Sequence, residues 1–462
     1  MKRDLRALRA ARGRRVAGLG RPFALLLATL AVIAVGVSSP VAAGSSVSPT
    51  LTIPLPGPLP TLTIPLPLPG AASGQGGTSP GSAPGTNVSP PPPPRAAPAV
   101  NPFAGRAMWI WELALSSDGD LAEIIAKAKE YGVGTLMIKS SDGTQPWGQF
   151  TRATVSAFRS AGLHVCAWQY VYGRAPADEA RLGVGAVRDG ASCLVIDAEG
   201  EYQGRYYAAQ RYLSLLRQQL GANFPIGLAG LPYIDYHPAF PYSVFLGPGG
   251  AQYNLPQMYW KDIGTTVNAV YSHTYSYNRL YQRPIYPLGQ LFENPPLGQV
   301  IRFRQLADAY GARGVSWWDY QEATASNWHG IVVPTARPAG FVPDTELAPI
   351  GRGWKGDPVV WAQEHLDAAG DQVAIDGDFG RQTQLAVETF QTAHGLAPTG
   401  MIDTATWTAL LKYRPVHVNW AAHSNKQGIA RIAGVTHTTP PPVSASLRGR
   451  NELHGSLGRG GG

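Results

Sequence analysis

Cysteine and charge are both scarce in this 462-residue chain, which has two cysteines and 15% charged residues. Two cysteines exclude a disulfide-dense scaffold and a four-thiolate zinc site. Cys166 and Cys193 fall in separate apolar strand patterns, so two small buried thiols are expected. His164 sits mid-strand and His237 beside Pro238, and neither has a partner at metal-ligand spacing, so no metal and no other cofactor is expected. No G-x-S-x-G elbow lies between a strand and a helix of the repeating pattern, and there is no Cys/His nucleophile signature, which argues against acyl transfer. The first strand pattern leads into Trp111-Glu112-Leu113 rather than a glycine-rich phosphate turn, which disfavours an open nucleotide-binding sheet.

Long apolar runs are scarce too. The single candidate, residues 22–38, follows a stretch with eight basic groups and precedes Val41-Ala42-Ala43. That order is a secretory signal over 1–43, with an uncleaved anchor as the alternative, since the run is just long enough to span. The net charge of +8 is concentrated at the two ends, +7 in residues 1–21 and +5 in 414–462, leaving the middle at −4. A mildly acidic centre argues against nucleic acid as a partner.

Residues 44–101 are rich in Pro, Gly, Ser and Thr, with the direct repeat TLTIPLP at Thr50–Pro56 and Thr61–Pro67, a spacer that cannot bury a core. From Arg106 the texture changes to short apolar strands alternating with amphipathic helices. Strands are expected at Ala107–Trp111, Gly134–Lys139, Leu163–Tyr170, Ser192–Asp197, Pro225–Gly230, Asn254–Tyr259, Pro284–Leu288 and Gly314–Asp319. Their starts are 27 to 33 residues apart, and helices such as Leu121–Tyr131, Thr154–Ala161, Tyr206–Leu220 and Val300–Tyr310 lie between them. Eight strand–helix units predict an α/β fold, a (β/α)8 TIM barrel over 102–335. A linker follows over 336–352, then a small all-α domain over 353–413, then a disordered tail over 414–462. A monomer is the expected state.

The small domain reads helix, Ile375-Asp376-Gly377-Asp378-Phe379-Gly380 turn, helix Arg381–His394 closed by Gly395, then Gly400 and Thr406-Trp407 with Leu410 on a third helix. This order closely resembles the three-helix peptidoglycan-binding domain of bacterial wall hydrolases. The resemblance implies a ligand surface near that turn and the start of the next helix, so Asp378, Arg381 and Gln384 are the candidate contacts. Peptidoglycan or another envelope glycan is the implied partner, and a secreted, wall-associated location follows, with membrane contact only if the signal stays uncleaved.

In a barrel of this kind the reactive groups sit at the C-terminal strand ends. Those ends supply Trp109, Trp111, Glu112, Lys139, Trp168, Gln169, Tyr170, Asp197, Glu199, Gln257, Tyr259, Trp317, Trp318 and Asp319. Aromatic faces stack on sugar rings and carboxylates bind hydroxyls, so this is the composition of a carbohydrate cleft. The sharpest element is Asp197-Ala198-Glu199, whose carboxylates at i and i+2 on a strand share one side. Crowded like charges favour one protonated acid beside an ionised partner, the pair of roles that glycoside hydrolysis uses. Glu112 and Asp319 are further candidates for the second role.

The Asp-x-Glu of strand four, with Gln257 and Tyr259 on strand six and Trp317-Trp318 on strand eight, resembles the lysozyme-type barrel glycosidases of family 25. The resemblance implies Glu199 as general acid and Asp197 as its partner. The family also has a strand-one aspartate, whereas this chain reads Met108-Trp109-Ile110-Trp111 and then Glu112. That departure keeps open a sugar-binding barrel that does not cut.

Overall fold

The computed structural model describes residues 101–422. The expected signal, the proline-rich spacer up to Val100 and the tail from His423 onward lie outside the described residues. Among the described residues no helix is long and apolar enough to cross a membrane.

All eight expected strands are present: β1 (Gly105–Ile110), β2 (Thr135–Asp142), β3 (His164–Val171), β4 (Cys193–Ala198), β5 (Ile226–Ala229), β6 (Tyr253–Asn254), β7 (Leu288–Gln290) and β8 (Gly314–Trp318). They run parallel in the order β6-β5-β4-β3-β2-β1-β8-β7. The parallel bridges Asn254 to Ile285 and Gln257 to Leu288 join β6 to β7 and close the ring. The fold is a (β/α)8 barrel. β6 and β7 are short because Pro256, Pro284 and Pro287 cannot donate to the ladder, so pairing there breaks into isolated bridges.

The helices that cover the barrel begin where the sequence supplies caps. Asp120 accepts from the amides of Ala122 and Glu123 to open α1 (Leu121–Glu130), and Thr151 caps α2 (Arg152–Ser160). The ring continues with α3 (Pro176–Arg188), α4 (Tyr206–Leu220), the short α5 (Tyr242–Leu246) and α6 (Trp260–Ile263), α7 (Val267–Asn278), α8 (Leu297–Ala309) and α9 (Ala325–Val332). Three further helices, α10 (Asp357–Ala369), α11 (Arg381–Ala393) and α12 (Thr404–Leu410), form the C-terminal domain.

Strand alternation separates two apolar layers. Met108, Ile138, Val165, Ile196 and Trp317 face the helices, while Trp109, Met137, Cys166, Trp168, Val195 and Trp318 fill the barrel interior. Cys166 and Cys193 corrects the expectation of two thiols. They are register partners on β3 and β4 with Cα atoms 4.5 Å apart, and a disulfide joins them. Separate strands in sequence are neighbours in the ring, and two inward residues at one level come within bonding reach.

The C-terminal domain is built onto the barrel rather than hung from it. Residues 357–366 of α10 are all buried. Asp357 accepts from the Ser243 amide and hydroxyl at 2.8 Å each and from the Tyr281 hydroxyl at 2.6 Å. Trp361 Nε1 donates to the Leu280 carbonyl at 2.7 Å. The expected tail is corrected over its first residues: Val418 and Trp420 are buried, Trp420 packs on Tyr206, and Gln210 on α4 bonds both backbones. A polar, glycine-rich composition hid two apolar anchors at its start.

Candidate functional site

The C-terminal mouth of the barrel carries an aromatic cluster. Trp109, Trp168 and Trp318 lie in mutual contact, with ring centroids 5.4 to 5.7 Å apart. Tyr170 and Tyr259 extend it, the latter edge-on to Phe292 at 5.3 Å. A cis peptide bond links Trp318 to Asp319.

Beside this cluster β4 presents Asp197, which is buried, and Glu199, which is half-buried. Gln257, following β6, donates from Nε2 to Asp197 Oδ1 at 2.9 Å and to Glu199 Oε1 at 3.1 Å. An amide nitrogen carries two protons, so one side chain serves both carboxylates. Two residues further on, Glu201 accepts from the Tyr170 hydroxyl at 2.9 Å.

A second cluster lies across β2 and β3. The Lys139 ammonium, on a residue 4% exposed, sits 4.2 Å from the Trp147 ring centroid, 5.0 Å from Trp168 and 5.8 Å from Trp111. It bonds Asp142 Oδ2 at 2.8 Å, and the Tyr172 hydroxyl donates to the other oxygen of that carboxylate at 2.7 Å. Burial raises the Glu112 carboxyl above its ordinary range, and the Lys139 charge opposes the shift. Glu112 is held by its own backbone, whose amide donates to Gln321 Oε1 at 2.9 Å.

Not every candidate reaches the mouth. Gln169 alternates outward from β3 and is buried between strand and helices, donating to the Glu179 carbonyl at 2.7 Å and accepting from the Tyr212 hydroxyl at 2.7 Å. Trp317 also faces outward and packs on Phe303 of α8. Asp319, by contrast, directly follows Trp318 at the C-terminal end of β8; it is completely buried and accepts from the Glu322 amide at 3.2 Å. Asp142, Trp147 and Tyr172 join the site without having been singled out, while Glu201 stands where the sequence puts it, just beyond the strand-four pair. The register shift between Lys139 and Ser141 turns Asp142 to the same side as Lys139, a change no strict alternation predicts. The Asp142-Gly143 turn was the available signal for Trp147.

In the C-terminal domain the fully buried Gln363 organises the expected binding turn. Its Oε1 accepts from the amides of Asp376 and Gly377, while its Nε2 donates to Asp376 Oδ1 and the Asp378 carbonyl. Asp378 pairs with Lys355 at 2.5 Å. Arg381 is exposed at the start of α11, and Gln384 bonds Glu388 at 2.9 Å one turn on. These three residues thus share the turn and the first turns of α11. Among the described residues no group of three His, Cys, Asp or Glu side chains could hold a metal ion.

Residues 355–410 match the family described as "Putative peptidoglycan binding domain". The chain therefore joins a (β/α)8 barrel to a domain of that type. No curated protein matches the chain. Among solved structures it is similar to a chitinase from Chromobacterium violaceum, at 11% identity over 49% of this chain and 98% of that one, with a TM-score of 0.38. It is also similar to the spore cortex-lytic enzyme SleL of Bacillus cereus, at 12% identity over 50% and 73%, with a TM-score of 0.39. A Pyrococcus furiosus chitinase domain gives 13% identity over 50% and 94%, with a TM-score of 0.39. At such identities and scores the likeness assigns no activity to this chain.

Proposed function

We propose that this protein is an exported glycan hydrolase held on the bacterial wall, whose barrel cleaves a glycosidic bond in peptidoglycan or another envelope glycan. The observation that carries this reading is the shared amide: Gln257 holds Asp197 and Glu199 together at an aromatic-lined barrel mouth. Glu199, the more exposed of the two, gives its proton to the glycosidic oxygen as the bond to the leaving sugar breaks. Asp197, deeper and held by Gln257, stabilises the positive charge that grows on the ring. Water then supplies hydroxide to the anomeric carbon and returns a proton to Glu199. Glu112, its carboxyl raised by burial, is the candidate for handling that water.

Trp109, Trp111, Trp168 and Trp318, with Tyr170 and Tyr259, form the stacking surface for sugar rings, and Lys139 and Gln257 bind their polar groups. The C-terminal domain, through Asp378, Arg381 and Gln384, keeps the barrel at its substrate and raises the local concentration of glycan. The Cys166–Cys193 disulfide suits an oxidising, extracytoplasmic setting. The departure on β1, where the resembled family has an aspartate, favours a second reading in which the barrel binds glycan without cutting it. Zymography on purified cell walls separates the two. Clearing by the native chain that disappears in Glu199→Gln supports hydrolysis, whereas glycan binding with no clearing by either form supports the second reading.

A further inference from the structure

The ladder between β1 and β2 ends at Ile110 and Ile138, one residue short of Trp111 and Lys139. Beyond it the chain runs through Trp111 and Glu112 into the short helical turn Leu113–Leu115, where strand pairing supplies no partners. A side chain takes the place of the missing rung. Gln149 donates from Nε2 to the Trp111 carbonyl at 2.8 Å and to the Lys139 carbonyl at 3.2 Å, and its Oε1 accepts from the Leu113 amide at 2.7 Å. The partners decide which end of the side-chain amide is which, since two carbonyls require a donor and an N–H requires an acceptor. From the other side Gln321, beyond β8, accepts from the Glu112 amide at 2.9 Å.

Gln149 is itself held in place. It is half-buried, the Trp147 amide two residues earlier donates to the Ser140 carbonyl at 2.8 Å, and the adjoining Phe150 is buried in the helix-facing layer. The segment it pins carries two groups of the barrel mouth. The Trp111 ring centroid lies 5.8 Å from the Lys139 ammonium, and the charge of that ammonium, itself paired with Asp142, acts on the Glu112 carboxyl. Burial, the larger influence, raises that carboxyl. Among the described residues the Glu112 carboxyl makes no hydrogen bond, so its aim comes from its backbone. Gln257 grips Asp197 and Glu199 by the carboxylates themselves, whereas Glu112 is gripped through the main chain on either side of its Cα.

We infer that Gln149 is a positioning residue for the reaction: with Gln321 it clamps the Trp111–Leu113 segment and so holds Glu112 beside Lys139 at the mouth. The inference rests on the reading of Glu112 as the group that handles water, and it names what aims that group. A neutral amide does this without adding charge beside a carboxyl that must titrate. Glutamate at 149 would keep the bond to Leu113 but, once ionised, would turn an oxygen on the Trp111 and Lys139 carbonyls.

The test uses the full chain with its glutamate carboxyls isotope-labelled for NMR, the Glu112 signal being assigned by its loss in Glu112→Gln. Gln149→Met keeps the side-chain length and removes all three bonds. Its Glu112 signal should titrate at lower pH than in the native chain, because the freed carboxyl gains water. On soluble peptidoglycan fragments its kcat should fall about tenfold, with KM changed by less than about twofold. Gln321→Met, which removes one bond, should act in the same direction and less. Gln149→Glu should lose more of its rate at pH 7.5 than at pH 5, since only its protonated form still donates. Thermal melts identify any variant that has lost its fold, and Gln321→Met carries the test if Gln149→Met is among them. A Glu112 midpoint unchanged in the folded variants would overturn the inference whatever the rate does, since a loss of stability alone leaves that midpoint where it was. A lowered midpoint alongside full sugar release by Glu112→Gln would keep the clamp and overturn the water-handling reading instead.

Discussion

Gln257 donates its amide hydrogen to the Glu199 carboxylate at 3.1 Å, from the strand position that closes the barrel ring. The same nitrogen holds Asp197, so the geometry of both carboxylates depends on one side chain. Gln257→Leu should therefore lower kcat on soluble peptidoglycan fragments by roughly tenfold to a hundredfold, with a smaller change in KM. Gln257→Glu should be at least as damaging, since it adds a third carboxylate where a donor stood. Circular dichroism showing intact folds, with steady-state kinetics on both variants, checks this.

Lys139 lies among three tryptophan rings and bonds Asp142 from a nearly closed site. Lys139→Met leaves that carboxylate without its cation, although Tyr172 still donates to it. Asp142 keeps contact with solvent, so breaking the pair on one side should cost on the order of 1 kcal/mol. Lys139→Met with Asp142→Asn should recover part of the loss. Chemical denaturation of the native chain, the single and the double variants measures it.

The junction with the C-terminal domain buries acidic groups. Burial, against the pull of Tyr281, Tyr206 and Ser243, raises Asp357 to about 6, and Glu364 is pushed up further by burial and by Asp357. A raised carboxyl means that the folded state binds a proton the unfolded state has released. Stability therefore falls as pH rises between the unfolded value and about 6, by on the order of 3 kcal/mol for Asp357. The melting temperature should be higher at pH 5 than at pH 7.5. Glu364→Gln should raise it at pH 7.5 and flatten the profile, because it removes a buried charge. Melting scans across that range for both chains give the answer.

The barrel is legible because strand patterns recur at a nearly constant interval, and each of the eight parallel strands overlaps an expected one; the two-residue strand Gln145–Pro146, antiparallel to β2, does not. Pairing across the ring was less legible. Cys166 and Cys193 look separate in sequence, yet that same interval makes their strands adjacent. Closeness to a strand end suggests the mouth for Gln169 and Trp317, although alternation sends both outward. Asp142 was missed for the opposite reason, since a bulge breaks alternation at that point. The buried face of α10 was hidden because Trp361 and Asp357 read equally well as parts of a free-standing bundle. The barrel surface, with Ser243, Leu280 and Tyr281, supplies their side-chain hydrogen-bond partners.

The most direct test of the account is release of soluble sugar from purified peptidoglycan by the native chain and by Glu199→Gln at equal concentration. Release by the native chain is expected, with a loss of about 10²- to 10⁴-fold in the variant and both forms still sedimenting with the wall. Equal release by the two forms would contradict the assignment of Glu199 as the acid. The absence of release from either would contradict hydrolysis of peptidoglycan itself.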